Sequence, residues 1–258
     1  MGTVLKTESI TMRFGGVTAV NELKLDIQEN KIVALIGPNG AGKTTAFNMI
    51  TGVYTPNEGK VKYTCPGKDE VDITGKRPSD IAKMGIARTF QNIRLFKRMS
   101  VLENVKVSAN INMNYSILDG IFKTKKYKEQ EKKATIEAME ILEVLGLKEY
   151  ADEQAQNLPY GKQRKLEIAR ALASHPAIIC LDEPAAGMNP TETEELMETI
   201  KIVREKFNTA VLLIEHDMKL VMGICEWITV LSFGKVIATG TPDEIKNNKE
   251  VITAYLGE

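Results

Sequence analysis

The hydrophobic positions of this chain fall into two textures. Ile32-Val33-Ala34-Leu35-Ile36, Ala177-Ile178-Ile179-Cys180-Leu181 and Ala210-Val211-Leu212-Leu213-Ile214 are apolar runs without a single charge. Runs this short, bounded by turn residues, predict strands covered on both faces, as in a parallel sheet flanked by helices. The segment from Val4 to Ile27 instead mixes polar and apolar positions around Gly15-Gly16. Near the C-terminus, Ile228-Thr229-Val230-Leu231 and Lys235-Val236-Ile237-Ala238 flank Phe233-Gly234. Both stretches predict antiparallel pairing. Thr241-Pro242-Asp243-Glu244 then supplies a capping hydroxyl, an N1 proline and an N3 glutamate, predicting a closing helix that runs toward Tyr255.

Between about residues 96 and 155 the periodicity is helical throughout. Ser100-Val101-Leu102-Glu103 is a capping box, and Ile136, Met139, Leu142 and Leu145 recur at helical spacing before a stop at Gly146. An all-helical block inside an alternating pattern reads as an insertion. The expected organisation is an α/β core over 1–95 and 156–258, carrying an antiparallel β subdomain, with a helical subdomain over 96–155.

Chemistry enters at Gly37-Pro38-Asn39-Gly40-Ala41-Gly42-Lys43-Thr44, which satisfies G-x-x-x-x-G-K-[ST] between an apolar strand and the helical Thr45-Ala46-Phe47-Asn48-Met49-Ile50. Glycines let backbone N–H groups turn toward phosphate oxygens, and the helix N-terminus adds its positive dipole end. Lys43 would reach the β- and γ-phosphates, and the Thr44 hydroxyl would ligate Mg²⁺. Far downstream, Ile178-Ile179-Cys180-Leu181-Asp182-Glu183 is an apolar strand ending in two carboxylates. Ligands gather at the carboxyl ends of parallel strands, which puts Asp182 beside the phosphate loop as a metal ligand. Glu183 could then accept a proton from an attacking water.

Composition narrows the partners. The chain has 258 residues, 34 Lys+Arg against 34 Asp+Glu, and 6% aromatics. It lacks the basic excess that phosphate-backbone binding needs, so no nucleic-acid partner is expected. No apolar run approaches the roughly 20 residues of a membrane span, and the start resembles no secretory signal. Cys65, Cys180 and Cys225 are odd in number and far apart, which reads as reduced thiols of an intracellular protein.

Taken together, the motifs resemble the ATP-binding subunits of ABC transporters, a P-loop NTPase (RecA-like) fold. Leu158-Pro159-Tyr160-Gly161-Lys162 stands where that family has its LSGGQ signature, followed by the helical Leu166-Glu167-Ile168-Ala169-Arg170-Ala171-Leu172. Arg88-Thr89-Phe90-Gln91 resembles the Q-loop, Ala186-Gly187-Met188-Asn189 the D-loop, and Glu215-His216-Asp217 the switch-histidine loop. Order and spacing agree over nearly the whole chain. Within the family the resemblance is to the ATPase subunits of branched-chain (LIV-type) amino-acid importers. Tyr160, the run from Glu215 to Gly223, Gly187-Met188-Asn189-Pro190 and the ending Ala254-Tyr255-Leu256-Gly257-Glu258 carry it. Two positions depart from the family pattern. Pro159 replaces the signature serine, losing a hydroxyl and an N–H, and Asn189 replaces the usual D-loop aspartate.

The resemblance implies an Mg²⁺-dependent ATPase with ATP and Mg²⁺ as cofactors. Glu183, His216 and Gln91 would be catalytic. Phe14, the loop Gly37 to Thr44 with Thr45, and Leu158 to Lys162 would bind nucleotide, and Thr44, Gln91 and Asp182 would hold the metal. Phe14 matches the aromatic that stacks on adenine. Two ATPase subunits would close head-to-tail, each ATP lying between one phosphate loop and the other's signature. The implied partners are transmembrane permease subunits, docked near Arg94-Leu95-Phe96 and Met99, a second ABC ATPase subunit and, indirectly, a substrate-binding protein. That places the chain at the cytoplasmic face of the cell membrane as a peripheral subunit. The ATPase of a lipopolysaccharide-type extractor and a soluble non-transport ABC ATPase remain alternatives.

Overall fold

The computed structural model describes residues 2–112, 119 and 121–256; Gly257 and Glu258 of the C-terminal run lie outside them. The chain divides into two compact units, 1–91 with 177–258, and 92–176. The second is larger than the insertion expected over 96–155, because it also takes in the helix after the signature.

Three buried apolar runs build the first unit. β3 (Ile32–Ile36), β7 (Ile178–Asp182) and β8 (Ala210–Ile214) are buried at every position. They lie in a six-stranded sheet of order β10-β9-β3-β8-β7-β6, completed by β6 (Ile86–Arg88), β9 (Trp227–Ser232) and β10 (Lys235–Gly240). All neighbours are parallel except β10, which returns antiparallel along β9 through the expected Phe233-Gly234 turn. A second, antiparallel sheet has the order β2-β1-β4-β5 and contains β1 (Thr3–Phe14), β2 (Val17–Gln28), β4 (Glu58–Thr64) and β5 (Glu70–Asp72). One apolar core joins Leu5, Ile10 and Val61 of this sheet to Val33, Leu35, Ile178 and Leu212 of the other, with Phe47 between them. Outside that cluster, Ile32, Ala34, Ile179, Val211 and Leu213 of the same strands are also fully buried, with Leu196, Ile200 and Leu220 of the later helices.

The helices of this unit are α1 (Lys43–Ile50), α2 (Pro78–Lys83), and four that follow the second unit. The expected closing helix is two helices, Pro242–Lys246 and Lys249–Leu256. Asn247 ends the first, and the Asn248 side chain accepts from the N–H groups of Glu250 and Val251, so a second cap interrupts the run.

In the second unit α3 (Val101–Ala109), α4 (Lys125–Val144) and α5 (Tyr160–Leu172) pack together. Ser100 and Glu103 form the expected reciprocal cap of α3. Burial on α4 falls on Ala134, Ala138, Ile141 and Leu142, whereas Ile136, expected inside, is exposed. Asn104 is fully buried and exchanges hydrogen bonds with both backbone atoms of Phe96, holding the 96–100 turn. The Arg164–Glu167 ion pair, 2.7 Å and buried on both sides, also accepts the Arg94 N–H through Glu167. Lys125 and Lys133 of α4 make exposed pairs with Glu129 and Glu137. No helix among the described residues is long and apolar enough to cross a membrane. α6 (Pro190–Phe207) and α7 (Met218–Ile224) complete the first unit, and α8 and α9 are the two closing helices already given.

Burial decides the thiol chemistry. Cys180 and Cys225 lie inside, and desolvation pushes both thiols up to about 12. A thiol reagent should therefore label only the half-buried Cys65 in the folded protein and all three cysteines after unfolding, as counted by mass spectrometry. Equal labelling of all three before unfolding would contradict a closed sheet core.

Candidate functional site

β3 ends at Ile36, and the chain then turns through Gly37, Gly40 and Gly42, all at positive φ, before α1 begins. A Cβ on Gly37 would stand 2.1 Å from the Leu231 carbonyl oxygen, and one on Gly42 would stand 2.3 Å from that of Ala19. Only glycine fits at either place. Gly42 is also the N-cap of α1, whose first turn carries neither an acidic residue nor a side-chain cap, which leaves the N–H groups of that turn available to an anion. Lys43 is nearly buried, and its Nζ donates to the carbonyl oxygens of Gly37 (2.7 Å) and Pro38 (3.0 Å). Burial lowers its ammonium pKa, and the charge of Glu183 partly restores it.

A cavity of 240 Å³ opens on this loop, lined by Ala19, Asn39 to Thr45, Glu183 and His216. The carboxylate of Glu183 has a partner on each oxygen. His216 Nε2–H donates to Oε1 at 2.7 Å, in the tautomer that a carboxylate acceptor requires, and Gln91 Nε2 donates to Oε2 at 2.7 Å. The three expected catalytic residues therefore meet, although Gln91 and Glu183 stand 92 positions apart in sequence. Glu183 itself sits at φ 46°, a strained conformation for a non-glycine residue of the kind that gathers at functional sites.

Asp182 is nearly buried, and its Oδ2 accepts from Arg88 Nη2 at 2.8 Å. Arg88 extends that tie to α1 through Asn48 Oδ1 and Thr51 Oγ1, both at 2.8 Å, and its guanidinium lies against the rings of Phe47 and Phe90. This network was not anticipated from the sequence, where Arg88 stood out only as part of the Gln91 motif. Its signal was a lone charge closing an otherwise apolar strand. Glu215 was likewise unanticipated in its role as a buried acceptor.

Other expected residues lie elsewhere. Phe14, half exposed at the end of β1, packs edge-on against Tyr54 with centroids 5.4 Å apart. Leu158 to Lys162 belong to the second unit, where Pro159 is the N-cap of α5 and Tyr160 its exposed first residue. α5 thus starts within the signature, six residues before the helical stretch that opens at Leu166. Asn189 caps α6: its side chain accepts the Glu192 N–H and Glu192 returns the bond, each at 3.0 Å.

Comparison with known proteins adds an independent line. The family described as ABC transporter matches residues 20–186, and the family described as branched-chain amino acid ATP-binding cassette transporter matches 235–258. The chain is 49% identical over 255 residues to the high-affinity branched-chain amino acid transport ATP-binding protein LivG of Salmonella typhimurium, covering 99% of this chain and 98% of that one. It is 47% identical over 255 residues to BraF of Pseudomonas aeruginosa, with the same coverage. Among solved structures, an ATP-binding cassette of an ABC transporter in its ADP conformation superposes with a TM-score of 0.85 at 32% identity, over 100% of both chains.

The Arg88–Asp182 pair gives a stability test. Arg88→Met would strand a carboxylate that is only 7% exposed, and removing one partner of such a pair costs about 3 kcal/mol or more. Urea unfolding should show that loss; a change below about 0.5 kcal/mol, the scale of an exposed pair, would mean the bridge is not held in the folded state.

Proposed function

The chain belongs to the ABC transporter family, and from that premise we propose that it hydrolyses ATP to energise a branched-chain amino-acid importer. The observation that carries this is the Glu183 carboxylate, held between His216 and Gln91 at the mouth of the phosphate-loop cavity. The loop N–H groups and Lys43 bind the phosphates. Glu183 accepts the proton of the attacking water as that water bonds to the γ-phosphorus and the β–γ bridging bond breaks. His216 orients Glu183 and contacts the γ-phosphate, and Phe14 stacks on the adenine. These roles use electrostatic preorganisation more than covalent chemistry, as phosphoryl transfer generally does.

The donor set suits Mg²⁺. Thr44 offers an exposed hydroxyl, Asp182 keeps Oδ1 without a partner among the described residues, and Gln91 offers an amide oxygen. All are hard oxygen donors, and a nucleotide-bound magnesium needs few protein ligands because phosphates and water supply the rest. When bound, the ion would neutralise charge developing on the phosphates.

A second ATPase subunit completes the site by offering the start of its own α5, where the N–H groups of Tyr160, Gly161 and Lys162 form an anion-binding turn. Membrane permease subunits engage the 94–99 turn, where Phe96 is 48% exposed and Asn104 and Glu167 fix the backbone. The chain then works as a peripheral subunit at the cytoplasmic face of the membrane. The C-terminal family match and the full-length relatives favour the amino-acid branch over a lipopolysaccharide-type extractor or a non-transport ATPase.

With its membrane partners, Glu183→Gln should still bind ATP but release phosphate at least about a hundredfold more slowly. Unchanged turnover would remove Glu183 from the reaction. Lys43→Ala should weaken nucleotide binding, and full affinity would remove the phosphate-loop assignment. Affinity purification of the tagged chain should bring down membrane permease proteins, and a leucine-loaded binding protein should stimulate turnover of the complex; failure of both would reject the importer reading.

A further inference from the structure

Glu215 follows the last residue of β8 and is only 3% exposed. Its carboxylate bonds to two different loops. Oε1 accepts the Ala185 N–H at 2.7 Å, while Oε2 accepts the N–H of His216 at 2.8 Å and of Asp217 at 3.2 Å. The setting explains why such a bridge matters. β7 and β8 pair in parallel as far as Asp182 opposite Ile214, and one further bond runs from the Glu183 N–H to the Ile214 carbonyl. Beyond that point the chains turn away into the loops that carry Glu183 and His216. Ala185 is two residues after Glu183, and Glu215 is the residue before His216. The carboxylate therefore ties the two loop backbones together within two residues of the side chains that meet at 2.7 Å.

We propose that Glu215 is a positioning residue for hydrolysis, its carboxylate bridging the Ala185 and His216 backbones so that His216 stays in bonding reach of Glu183. The proposal rests on the hydrolytic reading given above. A carboxylate suits the task because it only accepts, with both oxygens able to take N–H groups. Bonds to a charged acceptor are also roughly twice as strong as neutral ones. Glutamine has nearly the same size but one acceptor oxygen, and its amide N–H₂ would confront a backbone N–H on one side. Glu215→Gln must therefore release one of the two loops. Aspartate keeps both oxygens but shortens the arm, so Glu215→Asp cannot span both loops.

The sequence contains two histidines, His175 and His216, so the ring signals of each can be followed by NMR in the full chain. Glu215→Gln and Glu215→Asp should both move the His216 ring signals and leave those of His175 in place. With ATP, kcat should fall about tenfold or more, the loss expected from one charge-assisted bond, while KM and ATP affinity stay within about threefold. In a His216→Ala background, single-turnover phosphate release should fall by less than about twofold on adding Glu215→Gln, because the group being positioned is gone. Unmoved His216 signals, an unchanged kcat, or a full loss persisting in the His216→Ala background would each overturn the proposal. If Glu215→Gln fails to bind ATP, the same readings on Glu215→Asp decide it. Glu183→Gln separates the two ideas: normal turnover there rejects the hydrolytic reading itself, whereas an inactive Glu183→Gln beside a normal Glu215→Gln rejects only the bridge.

Discussion

The site depends on how closely three stretches of bare backbone approach one another. The Ala19 carbonyl of β2 fills the space where Gly42 would carry a side chain, and the Leu231 carbonyl of β9 does the same at Gly37. From the β9–β10 turn, the Gly234 N–H donates to the Ala41 carbonyl at 3.0 Å while its own carbonyl accepts from Asn21. The phosphate loop is thus gripped by main chain on both sides, with no flexible side chain intervening. A grip of this kind fixes the direction of the first turn of α1, and with it the N–H groups that can meet an anion. It also fixes Lys43, whose ammonium is held by carbonyls of the same loop.

The second constraint is the direction of the strands. β3, β8 and β7 are adjacent and parallel, so their carboxyl ends lie along one edge of the sheet. Asp182 is the last residue of β7, and Glu183, Gly37 and Glu215 with His216 follow directly after the three strand ends. β6 extends the edge and delivers Arg88, whose guanidinium ties Asp182 back to α1. Each carboxylate at the edge is then orientated by a neighbour: Asp182 by Arg88, Glu183 by His216 and Gln91, Glu215 by backbone. The left-handed conformation of Glu183 belongs to the same economy. It costs of order 1 kcal/mol or more, and the bonds on its side chain and the Glu183 N–H bond to Ile214 hold it there.

What the sequence made legible follows from which forces leave a pattern. Burial on both faces leaves uninterrupted apolar runs, so β3, β7 and β8 could be read directly. Backbone capping leaves fixed spacings, so the starts of α3 and the first closing helix could be read too. β6 is three residues long and β5 consists of Glu70-Val71-Asp72, exposed throughout, so neither leaves a hydrophobic period. Their existence depends on pairing with β7 and β4. The phosphate loop was legible because its chemistry is local. The meeting of Gln91, Glu183 and His216 was expected only through family resemblance, since contacts between distant strand ends have no sequence period. Arg88 and Glu215 were missed for a related reason: each lay inside a recognised motif, and a motif gives no account of which neighbours its members bond.

The two departures from the family pattern look different once their surroundings are known. Pro159 is the N-cap of α5, so the donors left at the helix start belong to Tyr160, Gly161 and Lys162, and proline removes none of these. What it removes is a side-chain hydroxyl and its own N–H. Lys162 does not replace that hydroxyl with a charge directed outward, because its ammonium lies over the Tyr150 ring and bonds to the Tyr150 hydroxyl. Its contribution at the helix start is therefore its backbone. Asn189 caps α6 through a side-chain oxygen that an aspartate would place in the same way, so the substitution keeps the cap and changes only the charge. Both departures preserve the helix start that the backbone geometry needs. At Pro159 the first-turn N–H groups of the helix are kept, and at Asn189 the reciprocal cap with Glu192 is kept, so the geometry of both helix starts is set by backbone and cap and not by the residues that differ.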